Sequence, residues 1–516
     1  MIQKLKYLLL VNILSITYLV AYDSTYNSSM VSIDINNDGD MDVVLGYGDM
    51  SENRGTIRVV YGKYNSEILS YSSLKYINQK DDDVRGAPEK GDHFGAALAA
   101  GDFNNDGYGD IAIGIPGESL YDNSNYHEKA AAAGAITIIY GTSDGLSVRT
   151  SPWTNDDGEI NLAVQWMDQD TKGVPSAVEA FDGFGSVLSS GDYNNDGYAD
   201  LAIGIPNESI GNVRGAGGIT ILYGSNQGIN PTKSQWFDQN SKDVPGGAEI
   251  DDQFGQVLIS DDFNNDGFTD LAIGIPNESI GNVRQAGGIT ILHGSINGLE
   301  SKNAKWFNQG TRGVPGAAEA YDGFGSALSS GDFNNDGFTD LAIGIPKEDI
   351  DGKEDKGGVT ILYGSKNNIT SKKSQWINDK VDGNEFGSTL CCGDFSRDGI
   401  SDLAIGKPFI YESSLEEDGS ITLVQGTSTG LLNKSKRVIQ YLPSEEWSPA
   451  WGKRTNINML ANNVPGYSYK NLMFTAMNFK DVRHISFDGY IEAEDRINEL
   501  EYNYQSNQIR KMNIHY

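Results

Sequence analysis

A nine-residue acidic frame, repeated six times, constrains this chain more than any other feature. The first copy reads Asp34-Ile-Asn36-Asn-Asp38-Gly39-Asp40-Met-Asp42, and the frame starts again at Asp102, Asp192, Asp262, Asp332 and Asp394. Each copy has oxygen side chains at positions 1, 3, 5 and 9 and glycine at position 6. Calcium is a hard cation that takes roughly six to eight oxygens in a flexible cage. Acidic and amide groups on alternate residues, turned sharply by glycine, suit such a cage. The plainer alternative is a set of turns, since Asp, Asn and Gly are turn formers. Six copies in one frame, four of them nearly identical, favour calcium.

The candidate ligands follow the frame, with position 7 acting through its main-chain carbonyl. They are Asp34, Asn36, Asp38, Asp40 and Asp42 in the first loop, then Asp102, Asn104, Asp106, Tyr108 and Asp110. The third and fourth loops supply Asp192, Asn194, Asp196, Tyr198 and Asp200, and Asp262, Asn264, Asp266, Phe268 and Asp270. The fifth supplies Asp332, Asn334, Asp336, Phe338 and Asp340. The sixth, with Asp394, Ser396, Asp398, Ile400 and Asp402, departs most, because serine holds position 3 and Arg397 stands beside it. Five or six structural Ca²⁺ ions are expected.

These loops are not EF-hands. An EF-hand needs a glutamate at position 12 and flanking helices, whereas position 12 is Ile113 in the second loop and Ile203 in the third. Position 9 leads into runs such as Leu271-Ala-Ile-Gly-Ile-Pro276, short, β-branched and ended by Gly and Pro. Such a run reads as a buried strand, and Gly325–Gly331 before position 1 reads as another. Each frame is therefore the turn of a strand–loop–strand hairpin.

Successive loops start 68, 90, 70, 70 and 62 residues apart. Periods of strand and turn on this scale indicate propeller blades. Within a period a Phe-Gly pair comes first (Phe94-Gly95, Phe184-Gly185, Phe254-Gly255, Phe324-Gly325, Phe386-Gly387). The acidic hairpin gives strands one and two. Gly217–Gly224 alternates as strand three, and Trp166, Trp236, Trp306 and Trp376 mark strand four, where inter-blade packing is the expected role. Small residues such as Ala202 and Gly204 are expected to let blades approach closely. The second period is longer through Gly117–Ala133 and Val148–Leu162, both polar and read as surface loops.

The last 75 or so residues carry no acidic frame. Trp451-Gly452 stands where Phe-Gly is expected, Pro465–Phe474 resembles a hairpin stripped of carboxylates, and Ile485–Ala493 and Ile497–Tyr504 read as strands three and four. The expected organisation is an all-β, seven-bladed propeller, with blades one to six in residues 22–440 and a degenerate seventh blade in 441–516. The alternative is six blades plus a C-terminal tail.

Net charge is −32, and six divalent ions would set twelve positive charges against it. Phosphate recognition needs a basic patch, and Lys and Arg occur only as scattered pairs, so no nucleic-acid role is expected. Lys4 and Lys6 precede an apolar run from Tyr7 to Ala21, which reads as a secretory signal over 1–21. Cys391 and Cys392 replace Ser329 and Ser330 of the preceding repeat and read as small strand residues, not a redox pair.

Phe-Gly, then Gly-Asp-Phe-Asn-Asn-Asp-Gly-Phe-Thr-Asp-Leu-Ala-Ile-Gly-Ile-Pro, then Gly-Gly-Val-Thr-Ile-Leu-Tyr-Gly resembles the FG-GAP repeat family over roughly residues 25–435. Gly-Ile-Pro here stands where that name has Gly-Ala-Pro. The family includes the N-terminal propeller of integrin α-chains and a region of glycosylphosphatidylinositol-specific phospholipase D. The resemblance implies a seven-bladed β-propeller, calcium in hairpins on the lower face and partner binding on the upper face. This chain keeps more intact loops than integrins do.

No catalytic constellation is readable. The five histidines are scattered, and neither a zinc motif nor a Gly-x-Ser-x-Gly elbow occurs. Arg214 and Arg284 occupy equivalent loops and read first as solvated charges. Asn27, Asn207, Asn277, Asn368 and Asn433 begin glycosylation sequons. The expectation is a secreted or cell-surface calcium-binding propeller, not an enzyme, that binds an extracellular protein or glycan in an adhesion-type role. The alternatives are an extracellular hydrolase or lyase acting on polysaccharide or lipid-linked glycan, and a structural module of a surface assembly.

Overall fold

The structure, a computed structural model, describes residues 28–512 except 49–53, 63, 66–67, 70–73, 82–83, 122–127, 149–152, 155–159, 162, 379–384, 409, 413–414, 418, 433–435, 442–456, 464–469, 479–480, 489–495 and 504–507. The expected leader, the sequons at Asn27 and Asn433, Trp451-Gly452 and Pro465–Tyr469 lie outside the described residues.

The repeats fold as expected into antiparallel sheets of four strands in meander order, and there are six of them. Blade 3 is typical. Val187–Gly191 and Asp200–Ile205 flank the acidic loop, and Gly218–Tyr223 and Asn230–Phe237 follow outward. Strand two of blades 2 to 5 (Asp110–Ile115, Asp200–Ile205, Asp270–Ile275, Asp340–Ile345) is buried along its whole length. Sheets covered on both faces produce such continuous apolar runs. Strand four lies at the rim, where Thr232 and Lys233 are exposed while Phe237 is buried.

The innermost strands make the ring. Ser28–Ile33 neighbours Ala97–Gly101, and the succession continues through Val187–Gly191, Val257–Asp261, Ala327–Gly331 and Thr389–Gly393. Residues 457–512 differ from the expected four-stranded blade, forming a sheet of five antiparallel strands. Its first strand, Ile457–Asn463, lies beside both Thr389–Gly393 and Ser28–Ile33, so the circle of inner strands closes there. Its third strand is Asp481–Asp488, earlier than the sequence pattern suggested, and its fourth is Arg496–Asn503. Six blades thus carry the repeat, and the C-terminal sheet has its own strand count.

The Phe-Gly pairs join neighbouring blades. Phe94, Phe184, Phe254, Phe324 and Phe386 are fully buried. The backbone N–H of Phe254 donates to the carbonyl of Ala216 in the preceding blade (2.9 Å), and Phe184 and Phe324 repeat the bond to Ala133 and Ala286. Bulk at this position fills the wedge between sheets, and the glycine after it lets backbones touch.

Two expectations gain detail. The longer segments of blade 2 contain small ribbons, Leu120–Tyr121 paired with Glu128–Ala130 and Trp153–Thr154 paired with Ile160–Asn161. The tryptophan rings rest on their own blade: a Cβ on Gly218, Gly288 or Gly358 would meet the ring of Trp236, Trp306 or Trp376 at 2.1, 2.3 and 2.1 Å. Trp166, Trp236 and Trp306 also pack against a buried cluster whose members come from blades 1 to 4.

Candidate metal centres

All six acidic frames sit at one end of the ring as the turn between strands one and two. Adjacent frames are joined, because the N–H of Ala199 donates to the carbonyl of Asp102 (3.0 Å) and that of Thr269 to the carbonyl of Asp192 (3.1 Å).

Inside each frame the geometry repeats. Asp102 accepts from the N–H groups of Asp106 (3.1 Å) and Gly107 (2.9 Å), one at each carboxylate oxygen. Asp106 accepts from the N–H of Tyr108 (3.0 Å), and Asn104 Oδ1 from the N–H of Asp106 (3.1 Å). The same bonds from position 1 recur at Asp34, Asp192, Asp262, Asp332 and Asp394. Position 4 is left-handed throughout, at Asn37, Asn105, Asn195, Asn265, Asn335 and Arg397. Asparagine tolerates that conformation and arginine does so less readily, so the sixth loop holds the shared backbone with a less suited residue.

Position 9 is the buried end of the frame. Asp42, Asp110, Asp200, Asp270, Asp340 and Asp402 have at most 1% of their surface exposed. Asp200 Oδ2 accepts from the N–H of Tyr193 (2.9 Å), and Oδ1 from the N–H of Gly224 after strand three (2.9 Å). The carboxylate therefore ties the loop to the third strand. In the sixth loop the first of these bonds moves to Ser396 N–H (2.6 Å). Burial pushes the carboxyls up, to about 8 at Asp200 and Asp340 and about 7 at Asp42 and Asp402. Asp110 is pushed well above the usual carboxylate range for the same reason. At Asp270 burial raises the pKa, while His293, with Nδ1 3.5 Å from Oδ1, opposes the rise.

The donor chemistry fits a hard cation. The first five frames offer carboxylate, amide and carbonyl oxygens, the sixth has a serine hydroxyl in place of the amide, and a carboxylate oxygen bonded to one N–H keeps a lone pair. Asn264 Oδ1, at position 3 of the fourth frame, is buried with no hydrogen-bond partner. Among the described residues no three or more His, Cys, Asp or Glu side chains form a metal-holding group by themselves. A cage here has to be completed by the position 3 side chain and the position 7 carbonyl.

A second acidic pattern, at the opposite end, was missed in the sequence. Glu118, Glu208, Glu278 and Glu348 follow strand two and are buried. Each accepts from the Nε2 of a buried glutamine exactly one blade back: Gln79 (2.7 Å), Gln169 (2.8 Å), Gln239 (2.5 Å) and Gln309 (2.5 Å). Buried Asp92, Asp182, Asp252 and Asp322 stand close enough to act electrostatically on these glutamates. The signal was a Gln–Glu spacing of 39 residues in four successive repeats.

Elsewhere, Arg214 and Arg284 are exposed, and the Arg284 guanidinium lies 5.8 Å from the Tyr321 ring. Cys391 and Cys392 lie on an inner strand, in register with Ala404 and Leu403. Asn368 is buried, and its Nδ2 meets the His293 ring at 3.0 Å, so its sequon is enclosed by the fold.

Together the ring of meander sheets and the hairpin frames define an all-β propeller. The FG-GAP repeat model matches residues 94–139, 184–222, 254–292 and 324–362. The chain thus carries four FG-GAP repeats within its propeller. It is similar to the phosphatidylinositol-glycan-specific phospholipase D of Rattus norvegicus, 30% identical over 212 residues, which is 40% of this chain and 24% of that protein. It is also similar to integrin alpha-8 of Homo sapiens, 30% identical over 43% of this chain and 19% of that protein. The chain thus spans about a quarter or less of these relatives. Among solved structures, the exotype rhamnogalacturonan lyase YesX aligns at a TM-score of 0.40 with 12% identity, covering 97% of this chain and 75% of that one. A likeness that low carries no argument.

Proposed function

We propose that this protein is an exported, calcium-stabilised propeller that binds an extracellular protein or glycan. In this reading residues 1–21 direct export, 22–440 form the repeat blades and 441–516 close the ring. The observation that carries it is the six-fold repetition of one oxygen-lined frame, each with a buried carboxylate at position 9. A divalent ion would neutralise these carboxylates and lock the hairpins. The residues that would hold it are those at positions 1, 3, 5, 7 and 9, and its chemistry there would be structural.

A groove of about 750 Å³ beside the fifth frame supports the glycan part of the reading. It brings together Tyr363, Lys372, Lys373, Gln375 and Trp376 with Asn334 and Asp336. An aromatic face with lysines and amides suits an acidic sugar, because the ring stacks on C–H surface while the cations meet carboxylates. A glycan array probed with the purified protein, with calcium and with chelator, tests this. Retention of acidic glycans in calcium supports it, and binding to none under either condition rejects it.

A further inference from the structure

The four Gln–Glu–Asp clusters at the end opposite the hairpins are built alike but neutralised differently. Each joins two blades: the glutamine lies two residues beyond strand four of one, and the aspartate and glutamate belong to the next. The side chains are deeply buried, with the glutamines only 3–5% exposed. Every glutamine gives its Nε2 to the glutamate, yet its Oε1 has no partner in any of the four. Two buried carboxylates and an unpartnered amide oxygen thus meet in one place. Removing charge from water without a counter-charge is costly.

Two copies have internal compensation. Beside Asp92 the chain brings His93 and the positive charge of Arg54. Beside Glu208 it places Ser176, whose hydroxyl donates to Glu208 Oε1. Ser176 holds a left-handed backbone (φ 80°) where the matching residues are Gly246 and Gly316. Those two copies lack the hydroxyl. A Cβ on Gly246 would lie 2.9 Å from Gln239 Nε2 and 3.6 Å from Glu278 Oε1, and one on Gly316 would lie 2.7 Å from Gln309 Nε2 and 3.2 Å from Glu348 Oε1, so a side chain there shifts the glutamine as it reaches the glutamate. Asp252 and Asp322 each accept one backbone N–H, from Glu249 and Glu319 (2.6 Å each), and the charged side chains acting on them from nearby are carboxylates: Glu249 and Asp251 in one copy, Glu319, Asp349 and Asp355 in the other.

We propose that the clusters Gln239–Asp252–Glu278 and Gln309–Asp322–Glu348 each hold a hard divalent cation that clamps blade 3 to blade 4 and blade 4 to blade 5. The ligands are the two carboxylates and the glutamine Oε1, with water completing the shell. Magnesium and calcium both accept such oxygen sets, often with retained water. The Glu208 copy is closed by the serine hydroxyl, and the Glu118 copy is balanced by Arg54.

The test counts calcium bound to the full chain by equilibrium dialysis and elemental analysis. G246S and G316S import the hydroxyl and should each lower the count by one. S176G opens the closed copy and should raise it by one. E278Q, which keeps the side-chain shape, should lower the count by one and guards against misfolding in the glycine variants. Counts unchanged in S176G and in E278Q would overturn the proposal and leave water or a shared proton as the occupant. The hairpin reading fails separately: D266N in the fourth frame would then leave the count unchanged, without affecting these differences.

Discussion

A Cβ on Gly204 would lie 2.2 Å from the carbonyl oxygen of Gly255 in the next blade. Gly204 belongs to the Gly-Ile-Pro end of strand two, and Gly255 follows Phe254. The same near-contact recurs between Gly114 and Gly185 (2.1 Å), Gly274 and Gly325 (2.3 Å), and Gly344 and Gly387 (2.1 Å). The two glycines that characterise the repeat are thus partners across each joint. Backbone on both sides leaves no room for a methyl group. Gly204→Ala should therefore cost about 1–3 kcal/mol, the usual range for overpacking a close-packed interior. Gly247→Ala is the control for crowding, since no atom lies within 4 Å of its Cβ position and its φ is not positive. Thermal melts of both variants check this, and equal melting temperatures would contradict a steric role for Gly204.

The position 9 carboxylates predict a loss with two separable parts. Asp200→Ala would leave the N–H groups of Tyr193 and Gly224 without their acceptors. An orphaned buried donor costs about 1–3 kcal/mol. That part should persist in chelator, because it needs no ion. The calcium-linked part should vanish in chelator. In wild type, calcium at a hundredfold excess over Kd adds about 2.7 kcal/mol per site. Melts of both proteins, with calcium and with EDTA, should show chelator lowering the wild-type transition more than the variant's. An identical chelator effect in both would remove Asp200 from the ligand set.

How far the sequence carried the reading depends on distance along the chain. The hairpin frames were legible because positions 1 to 9 act within one turn, and the left-handed Asn195 and the glycine after Asp196 are local requirements. Strand order followed from the same short patterns. The seat of the Trp236 ring on Gly218 was not legible, because it depends on which backbone in the sheet lacks a side chain. The Gln239–Glu278 pair stayed hidden because its members meet only across a blade joint. The C-terminal sheet lost the motif residues that would have fixed its strands in advance.

Glu208 and Asp182 predict a pH dependence of their own. Burial is the main cause that raises Glu208 from 4.5 to about 7 and Asp182 from 3.8 to about 6. Gln169 and Ser176 donate to Glu208, and Glu179 adds like charge. A carboxyl raised in the folded state keeps its proton after the unfolded chain has lost it. Stability from the pair is therefore full below about pH 4 and falls as pH rises toward about 7. Glu208→Gln removes the larger of these titrations and keeps an acceptor for Ser176. Melting temperatures in chelator from pH 4.5 to 7.5 should decline less steeply in the variant. Parallel profiles would show that the pair contributes no linkage.

The groove between blades 5 and 6 carries the last prediction. Lys372 and Lys373 are exposed beside the half-buried Trp376, in a chain whose net charge is −32. Lys373 has a left-handed backbone (φ 61°), as does Asn303 at the matching place in blade 4. Blade 4 has Lys302-Asn303 where blade 5 has Lys372-Lys373, so the lysine pair belongs to the groove and not to the repeat. If acidic sugars bind here, Lys373→Asn should weaken binding roughly tenfold, about 1.4 kcal/mol. The effect should shrink at high salt, because exposed charges are screened over about 10 Å at 0.1 M. Trp376→Ala should weaken neutral and acidic sugars alike through lost stacking. Asn303→Lys in blade 4 should leave affinity unchanged. Titration calorimetry with an oligo-uronate separates these cases, and equal affinity in wild type and Lys373→Asn would place the sugar elsewhere.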